Sequence, residues 1–308
     1  MTCNINIRRI ILVKEKWTIN NIPDISGKIA IVTGANSGLG KETAKALAAK
    51  NAVVIMAVRN IINGENASRD IQKEFPESTV KVMKLDLSNL QSIKDFAAAF
   101  SKEFKQLHFL INNAGVMTPP YSKTEDGFEL QIGTNHLGHF ALTGHLMPII
   151  QATAGARIVN VSSMAHNWGK IDFNDLNWEN RKYKRSTAYG DSKLANLYFT
   201  YELNRKLKNS NVKTTAAHPG WSATALQRHS GLFSVLNPLL AQKAHIGALP
   251  TLRAAVDPAA EGGDFYGPDG AKEIKGYPVK VQSNELSHDI NIARKLWEVS
   301  EELTGVKY

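Results

Sequence analysis

Lys28-Ile-Ala-Ile-Val-Thr33 runs without a break into Gly34-Ala-Asn-Ser-Gly38-Leu-Gly40 and then Lys41-Glu-Thr-Ala-Lys-Ala-Leu-Ala-Ala-Lys50, and this stretch decides the fold class. The first segment is an apolar run of strand length, and the third is an alanine-rich helix former. Strand, glycine loop and helix in that order is the context in which a chain grips a dinucleotide. Glycines permit the tight turn and let backbone N–H groups approach a pyrophosphate, and the helix start adds unpaired donors and its dipole. Thr33, Gly34, Asn36, Ser37, Gly38, Leu39 and Gly40 are therefore candidate cofactor contacts. The alternative is a plain glycine turn between core elements.

Outward from this point, strand-like and helix-like segments alternate along all 308 residues, and no linker, low-complexity tract or repeat interrupts them. Such alternation implies right-handed crossovers and a parallel sheet covered on both faces. The expected fold is α/β, one doubly wound Rossmann-type domain over residues 17–308, with residues 1–16 a disordered extension. A hydrophobic content of 43% is ample for one core.

A second signal lies downstream in Tyr189-Gly-Asp-Ser-Lys193. In a helical segment through Phe199, a phenol and an ammonium four residues apart project from one face. A free phenol titrates at about 10. A charge roughly 5 Å away at an effective dielectric near 20 favours the phenolate by about 3 kcal/mol, or about two pKa units. Taken alone, the pair is better read as part of a solvated helix, since Tyr and Lys four apart recur by chance.

The spacing Gly34-x-x-x-Gly38-x-Gly40 departs from G-x-G-x-x-G and, with Tyr189-x-x-x-Lys193, resembles the short-chain dehydrogenase/reductase superfamily. Other matches follow in order: Asp86-Leu87, Asn112-Asn113-Ala114-Gly115, Asn135, Ser162-Ser163, and Pro219-Gly220 with Thr224. Within the superfamily, Thr134-Asn-His-Leu-Gly-His-Phe140 and Ser192-Lys-Leu-Ala-Asn196 are similar to retinol dehydrogenases and WW-domain oxidoreductases. The resemblance implies that Tyr189 exchanges a proton with the substrate oxygen and that Ser163 polarises that oxygen. It implies that Lys193 holds the nicotinamide ribose and lowers the tyrosine pKa, while Asn135 interrupts its helix and helps hold a water leading from Lys193. Asp86, Leu87, Asn113, Ala114, Gly115, Pro219, Gly220 and Thr224 would line the cofactor, Thr224 at the carboxamide. Dimers or tetramers are common in such a family. A non-catalytic NADP(H)-binding sensor or scaffold is the alternative, but the residues that sensors typically lose are all present.

Cofactor choice is read at the end of the second strand. Proteins that prefer NAD usually place an acid about 20 positions beyond the glycines. Here Val58-Arg59-Asn60 stands at that place, and a guanidinium can clamp a 2′-phosphate with two parallel hydrogen bonds. NADP(H) is the expected cofactor.

Ser163 and Tyr189 are 26 positions apart, an insert holding Trp168, Phe173 and Trp178. Residues 221–245 add Trp221, Leu226, Leu232 and Phe233. Segments 164–188 and 221–245 are expected to cover a large apolar carbonyl or alcohol substrate, the alternative being a minor core. The one cysteine, Cys3, permits no intrachain disulfide, so a reducing, cytoplasmic setting is expected. No run approaches the roughly 18 apolar residues of a membrane span. The net charge of +9 is scattered except at Arg181-Lys-Tyr-Lys-Arg185, read as a solvated loop or a positive approach path. No basic, aromatic-bearing face suggests a nucleic-acid partner. His136 and His139 lack a third ligand nearby, so core or solvent-facing roles are expected and no metal.

Overall fold

The structure, a computed structural model, describes residues 16–222 and 241–308. Eight strands are numbered in chain order: β1 Ile29–Thr33, β2 Val53–Val58, β3 Val80–Lys84, β4 Phe109–Asn112, β5 Arg157–Val161, β6 Lys213–Ala217, β7 Phe265–Pro268 and β8 Pro278–Lys280. They form one sheet in the order β3-β2-β1-β4-β5-β6-β7-β8, parallel except for the antiparallel β7–β8 pair. Among the described residues the seven longer helices are α1 Gly38–Ala48, α2 Ile61–Glu74, α3 Leu90–Glu103, α4 Gly138–Gln151, α5 Arg185–Lys206, α6 Leu249–Val256 and α7 Ile290–Thr304.

The period of a strand explains why both faces of the sheet are covered. Ala30 and Val32 pack with Val54, Met56 and Val58 against Ala44 and Leu47 of α1, Ile71 of α2 and Leu252 of α6. Ile31 packs the other way, with Ile55, Leu110 and Ile158, against Phe96 and Phe100 of α3, Phe140 of α4 and Phe199 of α5. Asn60 and Asn89 start α2 and α3 by accepting from the N–H groups of Asn63 and Ser92.

Strand order reverses between β1 and β4, which opens a crevice beyond their carboxyl ends. The doubly wound single domain is thus the architecture found. The helix interruption expected at Asn135 is a π turn over Gly133–Leu137 ahead of α4, with the Gly138 N–H reaching five residues back to the Gly133 carbonyl. The C-terminal helix has a composite start. A 3₁₀ turn, Glu285–His288, comes first, then Asp289 caps α7, and Gly305 at φ 68° ends it. Of the expected N-terminal extension, residues 1–15 lie outside the described residues, whereas Lys16 sits 4.8 Å over the Tyr277 ring and Trp17 is buried.

Candidate active site

The end of β1 organises one wall of the crevice. The Thr33 hydroxyl accepts from the Asn113 and Ala114 N–H groups, both at 2.9 Å, and the Asn113 amide donates to the Thr33 carbonyl at 2.8 Å. Thr33 and the Asn113-Ala114-Gly115 loop are therefore one unit. Gly34 and Gly38 have φ of 67° and 54°, a region that favours glycine. Gly40 is required for a different reason: a Cβ there would lie 2.4 Å from the Gly34 carbonyl oxygen and 2.6 Å from the Asn113 amide. Asn36 and Leu39 are half-buried and Ser37 is exposed at the helix start. Glycine backbone and unpaired first-turn N–H groups on one wall fit an anionic dinucleotide.

The opposite wall is built by the π turn, β5 and α5. Asn135, wholly buried, pairs its amide with the Val116 backbone, accepting from the N–H at 2.8 Å and donating to the carbonyl at 3.0 Å, and donates also to Ser192 Oγ at 2.9 Å. A Cβ on Gly115 would lie 2.9 Å from Asn135 Oδ1 and 3.6 Å from Lys193 Nζ, so the backbone there is bare toward both groups. Lys193 Nζ donates to the Val161 carbonyl at 3.0 Å and sits 5.7 Å from the centre of the Tyr189 ring. Ser162 and Ser163 point oppositely, as strand geometry dictates. Ser162 Oγ donates to the Lys193 carbonyl at 2.8 Å. Ser163 interacts with the Tyr189 phenol, and its Oγ accepts the Ala165 N–H at 3.2 Å.

Burial, which a sequence does not display, reverses the expected electrostatics. Tyr189 is pushed up to about 12 by desolvation, and only the Ser163 interaction draws it back. Lys193 is pushed down to about 8 by the same cause. The expected lowering of the phenol by the ammonium is thus overridden, since loss of water penalises both charged forms. At neutral pH the pair is a protonated phenol beside an ammonium that gives up its proton readily.

Other candidates lie further out. Arg59 is exposed at the end of β2, and its carbonyl accepts from Lys84 Nζ at 2.8 Å, which brings a second cation to the same corner. The Asp86 carboxylate is occupied by the Ser88 N–H and hydroxyl at 3.0 and 2.6 Å, and the buried Leu87 has its carbonyl against Gly138. Pro219 and Gly220 are held from both sides: Gln242 Nε2 donates to the Pro219 carbonyl at 2.8 Å, and the buried His218 bonds Glu273 at 2.7 Å. Thr224 lies outside the described residues, as do positions 223–240 of the covering segment 221–245.

The insert 164–188 holds a small packed unit, while Lys182, Lys184 and Arg185 of the basic stretch are exposed to solvent as expected. Arg181 stacks 3.6 Å over the Trp178 ring and stands among Asp172, Asp175 and Asp191, at 3.7, 3.4 and 3.7 Å. Its charge is spent internally, which corrects the expectation of a positive approach path from this residue. Burial pushes the Asp191 carboxyl up to about 6, against the Lys170 N–H bond and Arg181. Phe173 packs with Ile132, Leu194, Tyr198 and Leu296, and Trp178 is buried, so the minor-core reading holds for these two. Trp168 is 56% exposed. The insert touches α5 backbone to backbone: a Cβ on Gly169 would lie 2.4 Å from the Gly190 carbonyl oxygen, and one on Gly190 would lie 2.8 Å from the Ala165 carbonyl oxygen.

A family model described as short chain dehydrogenase matches residues 28–232, well over half of the chain and all of the crevice described above except the β7–β8 side. The chain belongs to the short chain dehydrogenase family. Short chain dehydrogenases are oxidoreductases whose fold binds a nicotinamide dinucleotide. Retinol dehydrogenase 12 of Homo sapiens is 45% identical over 287 residues, 92% of this chain and 88% of that one. Retinol dehydrogenase 13 of Homo sapiens is 43% identical over 309 residues, covering 96% and 91%. Among solved short chain dehydrogenase folds, an uncharacterized protein from Mycobacterium Paratuberculosis aligns with a TM-score of 0.82 at 42% identity, over 96% of this chain and 99% of that one. Among the described residues no helix is long and apolar enough to cross a membrane.

Proposed function

We propose that this protein transfers hydride between NADP(H) and the alcohol or carbonyl carbon of a large apolar substrate, with Tyr189 as the group that gives and takes the proton. The observation that carries the reading is the meeting of Ser163 and Tyr189, with Lys193 Nζ beside the bare backbone of Gly115. Two hydroxyls side by side can both reach one substrate oxygen. A phenol held near 12 is fully protonated at neutral pH and so is ready as a donor when a carbonyl is reduced. Lys193, near 8, can then restore the proton from an ammonium already short of water. Asn135 fixes the Val116 backbone and Ser192, and thereby the floor under Lys193. When bound, the reduced nicotinamide supplies the hydride.

NADP(H) over NAD(H) is supported by Arg59, with no acid at its place, and by Lys84 bonded to its carbonyl. An apolar alcohol or aldehyde of retinoid size is supported by the two retinol dehydrogenases above 40% identity and by exposed Trp168 beside Gly190. Steady-state kinetics with NADPH and NADH, over retinal, other aldehydes, ketones and quinones, test both parts. The expected result is at least tenfold higher kcat/KM with NADPH, and Tyr189→Phe losing nearly all turnover while binding NADPH within a few-fold of wild type. Equal efficiency with NADH overturns the cofactor choice, and a Phe variant keeping more than about a tenth of the rate overturns the proton role.

A further inference from the structure

We infer that His139 is a positioning residue that couples the dinucleotide-binding end of β1 to the main-chain carbonyl of Asn135, so that the two walls of the crevice move as one. The inference rests on the oxidoreductase reading above. His139 stands four residues after Asn135, is 1% exposed, and has both ring nitrogens engaged: Nδ1 lies 3.0 Å from the Asn135 carbonyl oxygen and Nε2 lies 3.0 Å from Thr33 Oγ1.

The protons on this link have one arrangement. A carbonyl oxygen only accepts, so Nδ1 carries the hydrogen. Burial draws the ring down to about 4, with the nearby Lys193 charge acting in the same direction, so the imidazole is neutral and Nε2 is a lone pair. Nε2 must therefore accept, and the Thr33 hydroxyl donates to it at 3.0 Å in preference to the Ile111 carbonyl, which lies farther off at 3.3 Å. That leaves the Thr33 oxygen free to accept, and it does so from the Asn113 and Ala114 N–H groups. Every group is satisfied, and the order runs from the Asn113-Ala114 loop through Thr33 and His139 to the π turn. His136, three residues earlier on the same turn, makes no such link: its Nε2 bonds Ser300 at the back of the fold. The coupling belongs to His139 and not to buried histidines of this segment in general.

Two substitutions separate the halves of the link, because the Asn amide nitrogen can stand in for Nδ1 and the Gln carbonyl oxygen for Nε2. His139→Asn keeps the donor to Asn135 and loses the acceptor for Thr33, so NADPH affinity is expected to fall about fivefold to tenfold with kcat within about twofold. His139→Gln keeps the acceptor for Thr33 and loses the donor, so kcat is expected to fall about tenfold with NADPH affinity within about twofold. A residue that only fills space would move both quantities together in each variant, and that result overturns the inference. Nitrogen-15 NMR of the wild-type histidine ring, without cofactor or substrate, decides the link independently: the Nδ1–H form held from pH 8 to below pH 6 is expected, and the Nε2–H form overturns it. Wild-type protein that neither binds NADPH nor reduces any carbonyl would sink the oxidoreductase reading, while the ring measurement would still uphold or overturn the tie between Thr33 and Asn135.

Discussion

Replacing Lys193 with Met should make the protein more stable and nearly inactive at once. Free lysine titrates at 10.5, and burial brings Lys193 to about 8, so its charged form is disfavoured in the folded protein by about 3 kcal/mol. The ammonium has one backbone partner there, the Val161 carbonyl at 3.0 Å, which Asn196 Nδ2 also satisfies at 3.1 Å. Methionine fills a similar volume without a charge, and losing the Val161 bond costs about 1 kcal/mol. The net gain at pH 7 is about 2 kcal/mol. The pH dependence fixes the sign. The folded pKa lies below the unfolded one, so between pH 8 and 10.5 the unfolded wild type binds the extra proton, and wild-type stability rises relative to the variant. The gap in urea unfolding free energy between variant and wild type should therefore shrink from about 2 kcal/mol at pH 7 and change sign by about pH 10.5. A variant less stable than wild type at pH 7, or a gap that ignores pH, refutes the claim that Lys193 is a strained, water-starved charge. Turnover should fall at least a hundredfold in the same variant, a gain in stability at the expense of function.

Three further outcomes follow from the same geometry. In carbonyl reduction, wild-type kcat should decline above about pH 8 as Lys193 loses its proton while Tyr189 stays protonated to about 12, and a pH–rate profile flat to pH 10 would contradict this. Gly115→Ala puts a methyl 2.9 Å from Asn135 Oδ1, so about 1–3 kcal/mol of stability and at least tenfold in kcat should be lost, read by urea midpoint and steady-state rate. Arg181→Met removes the cation among Asp172, Asp175 and Asp191, and about 2 kcal/mol of local stability with it. Limited proteolysis should then cut within residues 170–182 several-fold faster than in wild type.

The parts of this molecule that repeat with a short period were legible in its sequence. The run Ile29–Thr33 alternates between two cores, and Gly34, Gly38 and Gly40 sit where the backbone must bend or press close. The convergence of Ser163, Tyr189, Lys193 and Asn135 followed from motif order. Burial and long-range partners were not legible. Nothing in Tyr189-Gly-Asp-Ser-Lys193 states that Lys193 is buried and Tyr189 half-buried, and a pair argument with a fixed dielectric leaves out the desolvation that raises the phenol. An interruption at Asn135 followed from the resemblance, but its form, a π turn over Gly133–Leu137, did not, because one inserted residue leaves the apolar period almost unchanged. The tie made by His139 is not legible either, although a spacing of four lets its ring reach the Asn135 carbonyl one turn back. Arg181 looked like surface charge because Asp172, Asp175 and Asp191 are spread over 20 positions of chain.

The contact between Gly169 and Gly190 limits how this enzyme can acquire new tastes. Two bare backbones lie on each other at the first turns of α5, with no side chain between them to shorten or lengthen, so the insert 164–188 and the helix that bears the phenol form a fixed corner. Widening the corner would tilt Tyr189 along with it. If the proposed substrate cleft is right, a change of substrate is most easily made by exchanging side chains that overhang the corner, Trp168 foremost, while the corner itself stays put.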